Sequence, residues 1–277
     1  MIQSKSIGSR IFNVFNVILM TLLSVSCIYP LWYAFCLSVS SKSAANSGLV
    51  TFYPVGFSLA SYQQIMGDTQ FFRSFLISVE RTVLGTIVTM LILIIFAYPL
   101  SKPASEYRPK NVIMWIVIFC MLFNGGTIPW YITMVKYGLI DNIWGLVLCG
   151  GLPVFNLILL INFYRGIPKE LIEAAQVDGA NHLQVFWKIK WAQIKPTTLY
   201  ILVITTINSF QCFALIQLLT SGGPNYSTST VMYYLYEIAF RTTKEFGYAD
   251  AMGVILAIVI ALFSALQFKV MHGGTTE

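Results

Sequence analysis

The chain has 277 residues, of which 57% are hydrophobic, 10% charged and 15% aromatic. A soluble domain presents about 25% charged residues to water, so these proportions exclude a soluble enzyme, a nucleic-acid binder and a disordered regulator. Seventeen Lys and Arg against eleven Asp and Glu leave a net charge of +6, which in so apolar a chain is a topology signal rather than a nucleic-acid patch.

A helix crosses a bilayer with about 20 apolar residues. Six stretches qualify in chain order: 11–37, 75–100, 111–135, 142–163, 197–219 and 248–268. Lys5 and Arg10 precede the first, but the run is longer than a signal-peptide core and has no clear small-residue cleavage site, so it reads as a retained span. Asn124, Gly125, Gly126 and Pro129 interrupt the third, stopping one helix and restarting a short one at Trp130. Cys27, Cys36, Cys120, Cys149 and Cys212 all fall in apolar stretches without C-x-x-C spacing and read as small buried hydrophobes.

With the N-terminus inside, the whole +6 excess gathers on the cytoplasmic pieces, which run from Lys5 and Arg10 through Lys102, Arg108, Lys110, Arg165 and Lys169 to Lys269, with Glu277 among the few inside anions. Positive loops stay inside. The expectation is an all-α membrane protein of six transmembrane helices forming one domain over 1–277, with both termini cytoplasmic. Glu80 and Arg81, near the outer end of the second span, read as a local ion pair or a solvated end. His182 and His272 each lack a second ligand nearby, which argues against a metal.

Among the connections, 38–73 is too long for a hairpin and 101–110 is short and basic. The inner segment 164–196 is polar and patterned, and a long ordered loop usually carries function. Pro168 suits a first helical turn, Glu170 and Glu173 complement the helix dipole, and Gly179 suits a left-handed stop. Leu171, Ala174, Ala175 and Asp178 share a face by their 3–4 spacing. The pattern predicts a helix of about ten residues, a glycine turn and a second helix from about Leu183. The thin face at Ala174 and Ala175 allows another protein to approach closely. The same pattern would also serve an interfacial helix lying on lipid head groups.

The run Glu173-Ala174-Ala175, Gly179 and, after nine residues, Ile189 resembles the EAA signature of membrane subunits of binding-protein-dependent ABC importers. Its setting, with Ile-Pro-Lys-Glu-Leu before it and Asp-Gly-Ala after it, is similar to the carbohydrate-importing branch. The stretches from Phe123 to Pro129, Tyr137 to Trp144, Leu215 to Pro224 and Phe246 to Ala251 resemble oligosaccharide and maltose permeases in the same order. One departure is clear. Ile189-Lys190-Trp191-Ala192 stands where the family closes with Ile-x-Leu-Pro, and the proline comes only at Pro196, so the second helix is expected to run straighter there.

The resemblance implies a type I ABC importer permease fold, in which the loop is a coupling helix seated in a groove of an ATP-hydrolysing subunit. Glu173, Ala174, Ala175 and Gly179 would make that contact, with Asp178 and Lys188 as polar neighbours. It also implies a second homologous permease, two ATPase subunits and an extracytoplasmic solute-binding protein docking on 38–73 and 220–247. The chain has no G-x-x-x-x-G-K-[ST], so ATP with magnesium belongs to the partners and no cofactor is bound directly.

Polar residues inside spans face water, solute or each other. Asn156, Asn162, Asn208, Ser209, Gln211 and Gln217 are the candidates for a path for sugar, or else for helix-to-helix hydrogen bonds. In the maltose resemblance, sugar-binding asparagines precede the stretch matching 213–217; here Ser209 and Cys212 take those places, with Gln211 between them. Trp144, like Trp130, Tyr131 and Phe155, would stack on sugar faces or anchor the membrane interface. Neutral sugars suit this set, and acidic ones remain open because Arg81 and Lys136 lie where they could face the path.

Three rival readings differ in chemistry. A secondary transporter driven by an ion gradient usually carries a midplane carboxylate or histidine, whereas the acidic residues here avoid the span centres. A membrane enzyme would need a motif such as H-E-x-x-H or G-x-S-x-G, and neither occurs. A scaffold would have no use for the polar positions of the fourth and fifth spans.

Overall fold

The computed structural model describes residues 7–123, 125–148 and 151–272, with 271 and 272 described by backbone only. Lys5, Asn124, Cys149 and Glu277, and the side chain of His272, therefore lie outside the described residues. Among those described there is no β-strand. In chain order the helices are α1 (Ile7–Ser38), α2 (Lys42–Asn46), α3 (Ala60–Gly67), α4 (Thr69–Ser101), α5 (Lys110–Leu122), α6 (Thr127–Lys136), α7 (Ile143–Leu148), α8 (Val154–Arg165), α9 (Lys169–Val177), α10 (His182–Gln184), α11 (Trp191–Phe210), α12 (Ala214–Leu219), α13 (Val231–Tyr236) and α14 (Phe246–His272).

At 1.5 Å per residue, α1 and α4 reach about 50 Å and α14 about 40 Å, more than the ~30 Å hydrocarbon core. These three are long and apolar enough to cross a membrane, and α5 with α6 makes a fourth if the pair is one broken span. Their apolar side chains stay exposed, from Ile11, Phe15 and Leu22 in α1 to Ile95 in α4 and Leu262 in α14, a surface that water would not tolerate and lipid tails would. Polar side chains in these helices bond back onto their own backbone: Thr21 donates to Val17 O at 2.8 Å and Ser24 to Met20 O at 2.8 Å.

Two expected spans are not single helices. The stretch 142–163 is α7 and α8, parted where Pro153 caps α8 in an extended conformation. The stretch 197–219 is α11 and α12, parted at 211–213. In a membrane, such interruptions are tolerated where the freed backbone groups line a cavity or find protein partners.

The chain divides into two compact units, 1–69 with 235–257 and 70–234 with 258–277. In the first, Cys36, Leu37, Ala44, Ala45 and Val50 form a small core where α1 meets the segment after it. Polar ties hold that segment in place: Trp32 Nε1 donates to Phe52 O at 2.7 Å, Lys42 pairs with Glu245 at 2.7 Å, and the Tyr248 hydroxyl hydrogen-bonds the Asp68 carboxylate. In the second unit the main core joins Leu93, Ala97 and Leu100 of α4 to Leu157, Leu160 and Ile161 of α8 and Ile194 and Ile201 of α11. A second cluster packs Leu146 of α7 against Ile216 and Leu219 of α12 and Tyr233 of α13.

Candidate functional site

Two features of the second unit carry chemistry. The first is the polar loop. Pro168 sits just before α9 as its N-cap (φ −58°, ψ 132°), one position earlier than a first-turn proline, and Glu170 lies in the first turn. At the other end Gly179 takes φ +82°. Gly179 N donates to Gln176 O at 3.1 Å and Ala180 N to Ala175 O at 2.9 Å, the paired bonds of a Schellman stop. The next helix begins with a feature the sequence reading missed. Asn181 Oδ1 accepts from Gln184 N at 2.8 Å while Asn181 N donates to Gln184 Oε1 at 2.9 Å, a capping box. The spacing Asn-x-x-Gln was the signal that would have placed it.

From 182 the helix continues through a π-helical stretch, Val185–Lys190, into α11. The missing proline thus leaves helix unbroken at 189–192, and Pro196 lies within the first two turns of α11. Ile172 packs against the main core, and Val185 at the start of the π-helical stretch is 2% exposed. No residue of α9 is fully buried. Glu173, Ala174, Asp178 and Gly179 are exposed, Ala175 is half-buried and Lys188 is exposed on the π-helical stretch. Beside them stand Leu171, Val177, Leu183 and Trp187, apolar and 44%, 88%, 70% and 60% exposed. Exposed apolar side chains of this kind, spread over α9, α10 and the π-helical stretch, suit a protein partner or a lipid surface.

Next to α9 lies a cavity of about 650 Å³ whose lining includes Lys102, Lys110, Arg165, Lys169 and Lys190 with Glu106 and Glu173. Lys102 and Glu106 pair at 2.9 Å. The shared hydrogen bond raises the Lys102 pKa and lowers that of Glu106. Lys190 Nζ reaches the Tyr98 hydroxyl at 3.1 Å and lies 4.9 Å from its ring centre.

The second feature is an open cavity of about 510 Å³ lined by α4, α7, the start of α8 and the break between α11 and α12. Five sequence candidates line it: Asn156, Asn208, Ser209, Gln211 and Cys212. Trp144 does not figure in that lining; it is half-exposed at the start of α7, its backbone N–H bonded to Asn142 Oδ1 at 2.9 Å. Asn162 lines a different hollow with Phe163 and Gln193. Lys136 is exposed at the end of α6.

The sequence left Arg81 as either a local ion pair or solvated span end, or a residue facing the path. Arg81 is 6% exposed rather than a solvated span end, and it lines the cavity, whereas Glu80 is exposed. Its Nη1 donates to Ser209 O at 2.6 Å and Ser209 Oγ at 2.8 Å, and its Nη2 to Leu146 O at 3.4 Å. Those carbonyls belong to the last turns of α11 and α7, so one guanidinium caps the interrupted ends of two helices. The only sequence signal was a cation inside an apolar run.

A sequence model of the family described as binding-protein-dependent transport system inner membrane component matches residues 104–271. The chain belongs to that family of transport components and is a multi-pass membrane protein. Among curated proteins it is 34% identical over 189 residues to Protein LplC of Bacillus subtilis (strain 168). It is also 34% identical over 181 residues to the polygalacturonan/rhamnogalacturonan transport system permease protein YtcP of the same organism. The matches cover 68% and 65% of this chain and 63% of each relative. Among solved structures, a chain of a bacterial ABC transporter involved in the import of the acidic polysaccharide alginate superposes with a TM-score of 0.80 at 26% identity, covering 99% of both chains.

Proposed function

We propose that this chain is a non-catalytic permease subunit forming half of the translocation pathway of an ATP-driven importer of sugars or oligosaccharides in the bacterial plasma membrane, with six spans and both termini cytoplasmic. It works with a second homologous permease, two ABC ATPase subunits that use ATP with magnesium, and an extracytoplasmic solute-binding protein. The relatives support carbohydrate as cargo, since YtcP is named for two pectic polysaccharides and the alginate transporter for another polysaccharide.

The observation that carries the reading is the projecting α9, held between an extended proline and a left-handed glycine with Glu173, Ala174 and Asp178 outward. The helix α9 packs on the core through Ile172 and against the π-helical stretch 185–190, which runs on into α11, so displacement of α9 is passed to α11. When the ATPases close, α9 and its counterpart in the partner permease are drawn together, and α11 tilts with them. The cavity bounded by the α11–α12 break then changes the side to which it opens. Asn156, Asn208, Ser209, Gln211 and Cys212 offer the solute donors and acceptors beside Arg81, Thr89 and Thr205, with Trp144 as a further contact outside that lining.

The test is uptake by the complete transporter in proteoliposomes with its binding protein, with and without hydrolysable ATP. Glu173→Lys is expected to reduce ATP-dependent uptake at least tenfold while its level in the membrane fraction stays unchanged. Uptake that persists without ATP, or is unaffected by the substitution, would overturn the reading.

A further inference from the structure

We propose that the 650 Å³ cavity beside α9 binds a phosphate-bearing anion, the headgroup of an anionic phospholipid or a soluble phosphate, which holds α9 against the ends of α4 and α8. The site is separate from the polar cavity at the α11–α12 break, and its assignment does not depend on the importer reading. It lies where apolar helices end: Ser101 closes α4, Lys110 opens α5 and Arg165 closes α8, and all three line it. Lipid phosphates sit at that level, and basic pockets between span ends bind them.

Five cations, Lys102, Lys110, Arg165, Lys169 and Lys190, line the cavity against two carboxylates, Glu106 and Glu173. Among the described lining residues the one ion pair is Lys102–Glu106. Three of the other cations bond to neutral oxygens: Lys110 Nζ donates to Lys102 O, Arg165 Nη2 to Leu100 O at 3.4 Å and Lys190 Nζ to the Tyr98 hydroxyl at 3.1 Å. Such bonds orient a cation without cancelling its charge. Arg165 lies near enough to Lys110 to repel it, a cost that an anion between them relieves. Tyr164, 7% exposed, also lines the cavity, and its buried hydroxyl has no hydrogen-bond partner among the described residues. Donors converging from several elements suit the several oxygens of a phosphate better than one carboxylate. On α9 the lining residues Lys169, Ile172, Glu173 and Gln176 share a face by their 3–4 spacing. Leu171, Ala174, Ala175 and Asp178 form the opposite face, so a subunit gripping that side leaves the cavity to its own ligand.

The test titrates the detergent-solubilised complete transporter with short-chain phosphatidylglycerol, short-chain phosphatidylcholine or inorganic phosphate at constant ionic strength. The readouts are the thermal midpoint and amide hydrogen exchange in α9. An anionic ligand is expected to raise the midpoint and slow exchange at 169–177, and zwitterionic phosphatidylcholine is not. A response to phosphatidylglycerol alone identifies a lipid headgroup, and a response to inorganic phosphate identifies a soluble phosphate. With Lys169→Gln and Lys190→Gln combined, half-saturation should need about tenfold more ligand, recovering when both positions carry arginine. Lys269→Gln, which removes an exposed cation near the end of α14, should leave it unchanged. No response to either anion overturns the proposal, as does a response that the paired cavity substitutions leave intact. A response that Lys269→Gln weakens equally marks diffuse surface attraction and overturns it too. No arm measures uptake, so failure here leaves the importer reading standing.

Discussion

Replacing Gly179 by alanine separates backbone conformation from side-chain bulk, because a Cβ built there meets no heavy atom within 4 Å. The cost is therefore conformational. An L-residue at φ +82° pays about 1–2 kcal/mol, which shifts the balance between the Schellman turn and its alternatives by a factor of about 5–30. The turn stands on two backbone bonds, Gly179 to Gln176 and Ala180 to Ala175, at an exposed helix end with little else to hold it. If an ordered α9 is what the ATPase grips, Gly179→Ala should lower ATP-dependent uptake severalfold at unchanged membrane abundance. Gly179→Asn should retain most of it, since asparagine visits the left-handed region readily. The pair is assayed side by side in proteoliposomes, with the protein quantified by immunoblot. Wild-type uptake in Gly179→Ala would refute the reasoning, as would Gly179→Asn failing as fully as alanine.

Two further outcomes follow from the geometry. Ser209→Ala removes one charge-assisted hydrogen bond to Arg81, worth about 1.5–3 kcal/mol, while the 2.6 Å bond to the Ser209 carbonyl stays; the thermal midpoint of the detergent-solubilised complex should fall by several degrees and recover in Ser209→Thr. Asn181→Ala deletes the cap on Gln184 N, at about 1 kcal/mol, and should speed amide hydrogen exchange at 183–186 without changing exchange in α9; equal exchange in both proteins would refute the cap's role.

Much of the molecule was legible because it depends on local rules. Apolar content, the one-sided +6 excess and the long runs that became α1, α4 and α14 follow from the solvation of individual residues. The α9 knuckle was legible for the same reason: Pro168 and Gly179 each act within a turn of their own position. The fourth and fifth spans were read as continuous because hydropathy reports apolar content and not helix continuity. The break at 211–213 contains neither Pro nor Gly, so no local residue announces it.

What only the tertiary structure decided is the company Arg81 keeps. Its partner Ser209 lies 128 positions away, and the two helix ends it caps exist only because α7 and α11 stop where they do. Sequence proposed Asn156, Asn208, Ser209, Gln211 and Cys212 as separate polar positions on two spans. The fold gathers these five around one cavity, places a buried cation among them and leaves Trp144 outside the lining. Burial and proximity are properties of how helices pack, and a single strand of residues carries no record of them beyond the cost of a charge it would otherwise have avoided.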